Sequence, residues 1–178
     1  MRKSSAALGS SLFFAAAPGV VAGVVPWLLT RWQPGHASAS WGVPVRVAGG
    51  ILLSASAAVL VHAFVRFVVE GIGTPAPVAP TGRLVVGGLY RYVRNPMYLA
   101  VTGAVVGQAL LLWRPLALLP YAAGLGVLFA LFVRAYEEPA LRRQFGAEYE
   151  RYCAAVPAWR PRGRAWRGVT PPAGPDRV

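Results

Sequence analysis

The sequence predicts an all-α fold: a polytopic membrane helical bundle of about four transmembrane helices, followed by a C-terminal amphipathic cytoplasmic helix. Three observations predict it. Of 178 residues, 56% are hydrophobic and only 13% charged, with a mean hydropathy of +0.48, which is not the make-up of an ordinary soluble domain. Four apolar runs recur along the chain, most of them near the roughly 20 residues that cross a hydrocarbon layer of about 30 Å. The basic residues, 17 arginines and one lysine against six acids for a net charge of +12, are sorted between the ends of those runs. A soluble chain this basic would point to nucleic acid. Here no basic helix interleaved with stacking aromatics stands free of the apolar runs, so no nucleic-acid partner is expected.

The first run extends from about Ala6 to Thr30, and Pro18 and Pro26 should kink it. Arg2, Lys3 and Ala15-Ala16-Ala17 would also suit a signal peptide, but the apolar stretch continues through VVAGVVPWLL, too far for a cleaved segment. The second run covers Val45 to Val69. The third, Met97 to Trp113, is short and must start at Pro96 to cross. The fourth, Leu116 to Ala135, is separated from it only by Arg114-Pro115, which predicts a tight antiparallel hairpin. Gly19/Gly23 and Gly103/Gly107 have the spacing that permits close helix packing, although glycine is common throughout this chain. With the N-terminus inside, one side holds Arg2, Lys3, Arg66, Arg83, Arg91, Arg94 and nine arginines from Arg134 onward, and the other holds Arg31, Arg46 and Arg114. That 15:3 split places both termini in the cytoplasm. The Ala-, Arg- and Gly-heavy composition suggests a high-GC bacterium, hence its inner membrane.

Two polar regions share the cytoplasmic side. The first, Gly71 to Tyr98, opens with a Pro- and Gly-rich loop longer than most interhelical connections and closes with GLYRYVRNPMY. The residue before a proline is pushed out of the α region, proline suits the first helical position, and asparagine is a favoured N-cap. The third helix should therefore start at Pro96, capped by Asn95. Its N-terminus favours an anion, and Arg91 and Arg94 one turn away can donate to a carboxylate or phosphate. The same residues also suit a plainer role, with both arginines snorkelling to lipid phosphates and Tyr90, Tyr92 and Tyr98 forming an interfacial belt.

The second polar region, Arg134 to Arg162, carries Leu141, Phe145, Tyr149 and Tyr152 on one face of an amphipathic helix lying along the membrane. Glu137 and Glu138, two of only six acids, sit where the helix dipole disfavours them. Either they pair with Arg91, Arg94 or Arg134, or they bind a cation or the hydroxyls of a ligand whose anionic end lies on the arginines. S-adenosylmethionine fits both halves: a carboxylate for the arginines, an ammonium and a ribose diol for the glutamates, and an adenine and sulfonium for tyrosine faces. Residues 1–162 read as a single membrane domain, and 163–178 as a basic, disordered, lipid-attracted tail.

At these residues the chain resembles the integral-membrane isoprenylcysteine carboxyl methyltransferase and phospholipid N-methyltransferase group. Gly88-Leu-Tyr90-Arg91-Tyr-Val-Arg94-Asn95-Pro96-Met-Tyr98 and Glu137-Glu138-Pro-Ala-Leu141-Arg-Arg-Gln-Phe145-Gly146-Ala-Glu-Tyr149-Glu-Arg-Tyr152 match its two gapped motifs, in order and separated by one helical hairpin. Asn95 stands where many members have histidine. The resemblance covers about Gly71 to Arg162. It implies an S-adenosylmethionine-dependent methyltransferase whose cofactor site is formed by Gly88, Tyr90, Arg91, Arg94, Asn95, Pro96, Tyr98, Glu137 and Glu138, with a lipophilic acceptor, carboxylate or amine, entering sideways between helices.

In-line displacement needs no covalent enzyme intermediate, so proximity, orientation and exclusion of water would carry catalysis. Arg94 and Glu138 are expected to be the most sensitive positions, through positioning rather than proton transfer. Glu70 is a lesser candidate that more simply pairs with Arg66 or a loop arginine. The single cysteine, Cys153, reads as an inert thiol, and His36 and His62 form no metal-ligand pattern, so no metal is expected. Two other readings stay open: an NADPH-dependent membrane reductase of the sterol-reductase type, which the adjacent glutamates oppose by repelling a dinucleotide, and a non-catalytic membrane protein retaining the fold.

Overall fold

A computed structural model describes residues 17–36, 40–71 and 84–168, with the side chains of 67–71 left aside. Regular structure among these residues is helical: α1 (Ala17–Thr30), α2 (Gly42–Gly71), α3 (Pro96–Leu111), α4 (Pro115–Phe132), α5 (Glu138–Phe145) and α6 (Ala147–Ala155), with a 3₁₀ turn at Gly88–Arg91. A π-helical turn, Val133–Glu137, joins α4 to α5. The expected start at Ala6, the Pro-rich loop through 83, the Glu70 side chain and residues 169–178 lie outside the described residues.

Two stretches, Gly42–Arg66 and Pro115–Phe145, are long and apolar enough to cross a membrane; Ala17–Thr30 and Pro96–Leu111 are apolar but shorter. At 1.5 Å per residue, the 16 residues of α3 reach about 24 Å, short of a full hydrocarbon layer of about 30 Å. The helices expose apolar side chains along their outer faces, including Val43, Val47, Ile51, Val61 and Val65 on α2 and Leu116, Val127, Leu128 and Leu131 on α4. Such a surface suits lipid, not water.

α3 starts at Pro96, where the ring sacrifices no hydrogen bond, and the turn Leu112–Arg114 folds α4 back against it. Val105 and Ala109 of α3 and Leu118, Ala122 and Leu125 of α4 form the core of that hairpin, with Val21 and Ala22 of α1 against it. α2 and α3 make the most extensive pairing. The reason is local and steric: a Cβ on Gly107 would lie 2.7 Å from the Leu53 backbone nitrogen, and one on Gly103 would lie 2.6 Å from Ser56 Oγ. Gly103/Gly107 is thus a true helix-packing pair. Gly19/Gly23 packs against none of the described residues, since none of them lies within 4 Å of a side chain built there.

α1 is tied into the bundle by a defect in its own ladder. Pro26 has no N–H, so the carbonyls of Ala22 and Val21 lose the donor that an α- or π-helical turn would give them. Gln108 Nε2 of α3 donates to Ala22 O at 2.6 Å, and Tyr121 Oη of α4 donates to Val21 O at 2.8 Å. In a lipid environment such carbonyls must find partners inside the protein. Gln108→Leu is therefore expected to lower stability by about 1–2 kcal/mol, read as the unfolding midpoint of the reconstituted chain. Adding Pro26→Ala should restore most of the loss, because alanine at that position would supply the missing N–H.

The three arginines at the end of the bundle near the α3–α4 turn are all engaged locally: Arg31 lies 4.5 Å over the Trp27 ring, Arg46 donates to Gly35 O at 2.7 Å, and Arg114 donates to Gln33 O at 3.1 Å. At the opposite end, Ala63 of α2 packs with Val85, Tyr90 and Met97. Beyond it, Tyr149, Tyr152 and Val156 form a separate small core with Leu84, Val86, Leu141, Phe145 and Trp166. This differs from the single amphipathic helix expected along the membrane. Gly146, at φ 48°, breaks it into α5 and α6, and its apolar face is covered by protein, not lipid. Part of the expected tail also belongs to the folded unit: Trp166 packs 5.4 Å from the Tyr152 ring.

Candidate functional site

The loop from Gly88 to Asn95 is built to present Arg94. Gly88 sits at φ +55°, and a side chain there would meet His62 Nε2 at 2.9 Å and Arg66 Cγ at 3.0 Å, so glycine is needed for both backbone and space. The 3₁₀ turn ends at Arg91, buried Val93 anchors the return, and Arg94 emerges just before α3. The π turn before α5 places Glu137 and Glu138 at the same end of the bundle.

Arg94 Nη1 lies 2.9 Å from Glu138 Oε1, 2.9 Å from Cys153 Sγ and 3.3 Å from Tyr149 Oη. The two charged side chains are only 15% and 19% exposed, so this is a largely desolvated pair rather than a surface one. Burial pulls the Arg94 pKa down, but Cys153, Tyr149 and Glu138 outweigh it and hold the guanidinium above its ordinary value. Desolvation pushes the Tyr149 and Tyr152 phenols up, so both stay protonated donors. One nitrogen with two hydrogens thus faces three acceptors, while Arg94 Nε is buried with no partner among the described residues. Such an orphan donor is the kind of group a ligand carboxylate satisfies.

Beside this pair, Tyr98 Oη donates to Glu137 Oε1, with the Phe129 ring 4.6 Å and the Trp159 ring 6.5 Å from that of Tyr98. Glu138 is bridged further to Arg142 at 3.9 Å, and Arg142 to Glu150 at 3.2 Å.

The structure thus brings together Arg94, Tyr98, Glu137 and Glu138 from the two polar regions. Other expected residues turn elsewhere. Asn95 stands at the N-cap position of α3 and Pro96 at its first helical position, but the Asn95 amide makes no cap; it donates to Ala158 O at 3.2 Å. That carbonyl belongs to an irregular segment whose polar groups need partners, and the amide that donates Nδ2 to it leaves Oδ1, the capping acceptor, without a bond to the N–H groups of the helix end. Arg91, unlike Arg94, makes no ion pair with Glu137 or Glu138; its Nε donates to Trp166 O at 2.6 Å. Buried Tyr90 offers its carbonyl to Tyr152 Oη at 2.7 Å.

Sequence reasoning missed Tyr149 and Cys153 as partners of Arg94, and Phe129 and Trp159 as neighbours of Tyr98. It missed above all the strap at 157–168. Arg94 N donates to Pro157 O at 3.0 Å, Arg162 N to Tyr92 O at 3.0 Å and Trp166 N to Arg91 O at 2.9 Å, so the strap runs along the loop that carries the motif. Cys153 follows Tyr149 by four residues, a spacing that puts both on one side of a helix and was the available signal, but nothing local tells that side apart from a lipid-facing one.

Comparison with known proteins adds one match. The model of a family described as phospholipid methyltransferase matches residues 45–148, more than half the chain and both motifs up to the start of α6, but not Tyr149, Cys153 or the strap. No curated protein and no solved structure matches the chain.

Proposed function

The chain belongs to the phospholipid methyltransferase family, and from that premise we propose that it transfers a methyl group from S-adenosylmethionine to a lipophilic acceptor, carboxylate or amine, at the cytoplasmic boundary of the membrane. The observation that carries this reading is the Arg94–Glu138 pair, which joins the polar region before α3 to the one after α4.

The donor set fits the cofactor. Bound S-adenosylmethionine supplies a methyl group on an electrophilic sulfonium. Arg94, with its unpartnered Nε, would hold the carboxylate; Glu138 would hold the ammonium or the ribose hydroxyls. Tyr98, fixed through its hydroxyl to Glu137, together with Phe129 and Trp159, offers an aromatic surface for the purine and keeps water out. Tyr149 and Cys153 orient the guanidinium. A carboxylate acceptor attacks without any proton transfer, whereas an amine must first give up its proton to water or a base; the side chains named here work by positioning and desolvation. The 15:3 distribution of basic residues supports this end facing the cytoplasm, with both termini inside.

Titration calorimetry on the detergent-solubilised chain, with S-adenosylmethionine and NADPH in parallel, tests the reading. Binding of S-adenosylmethionine alone is the expected result, followed by transfer of a radiolabelled methyl group into host lipid extract or lipophilic acids. Binding of NADPH alone would overturn it.

A further inference from the structure

We propose that the outer face of the strap at 157–168 docks onto anionic phospholipid headgroups, and that this clamps the loop carrying Arg91 to Asn95. The strap is two-faced. Its inner face makes the backbone bonds to Arg91, Tyr92 and Arg94, sends Arg162 Nη1 to Ala155 O at 2.5 Å, and lays Trp159 and Trp166 against Tyr98 and Tyr152. Its outer face carries Arg160, Arg164 and Arg167, all exposed, with no hydrogen bond or ion pair to any described residue. No acid lies within 157–168. Of the described carboxylates, Glu137 is engaged by Tyr98, Glu138 and Glu150 by Arg94 and Arg142, and Glu148 makes no ion pair with an arginine of the strap.

The depth of the strap identifies the partner. Trp159 lies beside Tyr98, in the first turn of a helix whose whole 16-residue length is needed to approach the width of the apolar layer. The segment beginning at Pro157 therefore sits at the level of the headgroups, where tryptophan is at home and each arginine gains from a negative surface. Three arginines without an ion pair among the described residues, at that depth, fit lipid phosphates held in a plane. The three backbone bonds of the strap are all to the motif loop, so lipid that holds the strap closed also holds Arg94 in place.

Hydrogen exchange at the Arg162 and Trp166 amides, in the full chain in nanodiscs, reads strap opening directly and needs no cofactor. Exchange is expected to slow by about tenfold when phosphatidylcholine discs are replaced by discs containing phosphatidylglycerol, since three arginines then favour the closed strap. The triple variant Arg160→Gln/Arg164→Gln/Arg167→Gln should keep the rate seen in neutral discs and lose the slowing. Equal exchange of the parent chain in both discs would overturn the proposal. So would slowing that survives in the triple variant, or slowing reproduced by inorganic phosphate in neutral discs. If S-adenosylmethionine fails to bind, the proposed function falls while this measurement still decides the strap.

Discussion

Replacing Arg94 by alanine is expected to abolish S-adenosylmethionine binding and to destabilise the fold by about 1–3 kcal/mol, because it leaves Glu138, only 19% exposed, with Arg142 at 3.9 Å as its remaining cationic partner. The conservative change separates the two effects. Arg94→Lys keeps the charge but loses the planar fork that serves several acceptors at once. Its melting midpoint should stay within a few degrees of the parent, while affinity falls by about a hundredfold. Glu138→Gln should weaken binding to a similar extent, and the double variant should be no worse than the worse single, as expected of two groups acting as a unit. Calorimetry and thermal melts on the four proteins provide the check. Parent-like affinity in both single variants would remove this pair from the site.

The second large effect concerns the bundle. Gly107→Val is expected to lower the melting midpoint by about 5–10 °C, because its Cβ alone would lie 2.7 Å from the Leu53 nitrogen and 3.0 Å from Gly49 O. Those neighbours are backbone of α2 and cannot rotate away. The helices must separate along their most extensive pairing, and the α2 residues near Gly88 and Tyr90 would move with them. Gly124→Ala is the matched control: nothing lies within 4 Å of its Cβ, so the midpoint should hold or rise slightly. Equal losses at both positions would show that close packing at Gly107 does not set the cost.

Much of this could be read along the chain. The four apolar helices, the start of α3 at Pro96, the hairpin closed at Arg114-Pro115, and the placement of both polar motifs at one end all emerge from runs, breakers and charge counts. These features are local. A proline fixes its own φ, an apolar run must leave water wherever it goes, and the parity of spans puts alternate loops on the same side.

What the chain's own order could not give was the choice of partners. Arg91 and Arg94 are equivalent in sequence, three residues apart in one motif, yet one grips Trp166 and the other Glu138. Asn95 is an ideal cap by identity and spends its amide on Ala158, 63 residues away. The apolar face of Leu141, Phe145, Tyr149 and Tyr152 has the period of a membrane-surface helix, but it closes a small protein core instead. The physical reason is the same in each case. Local sequence sets which groups want a partner and which surfaces want to leave water, whereas the identity of that partner depends on what distant segments bring within 3 Å once the bundle has packed.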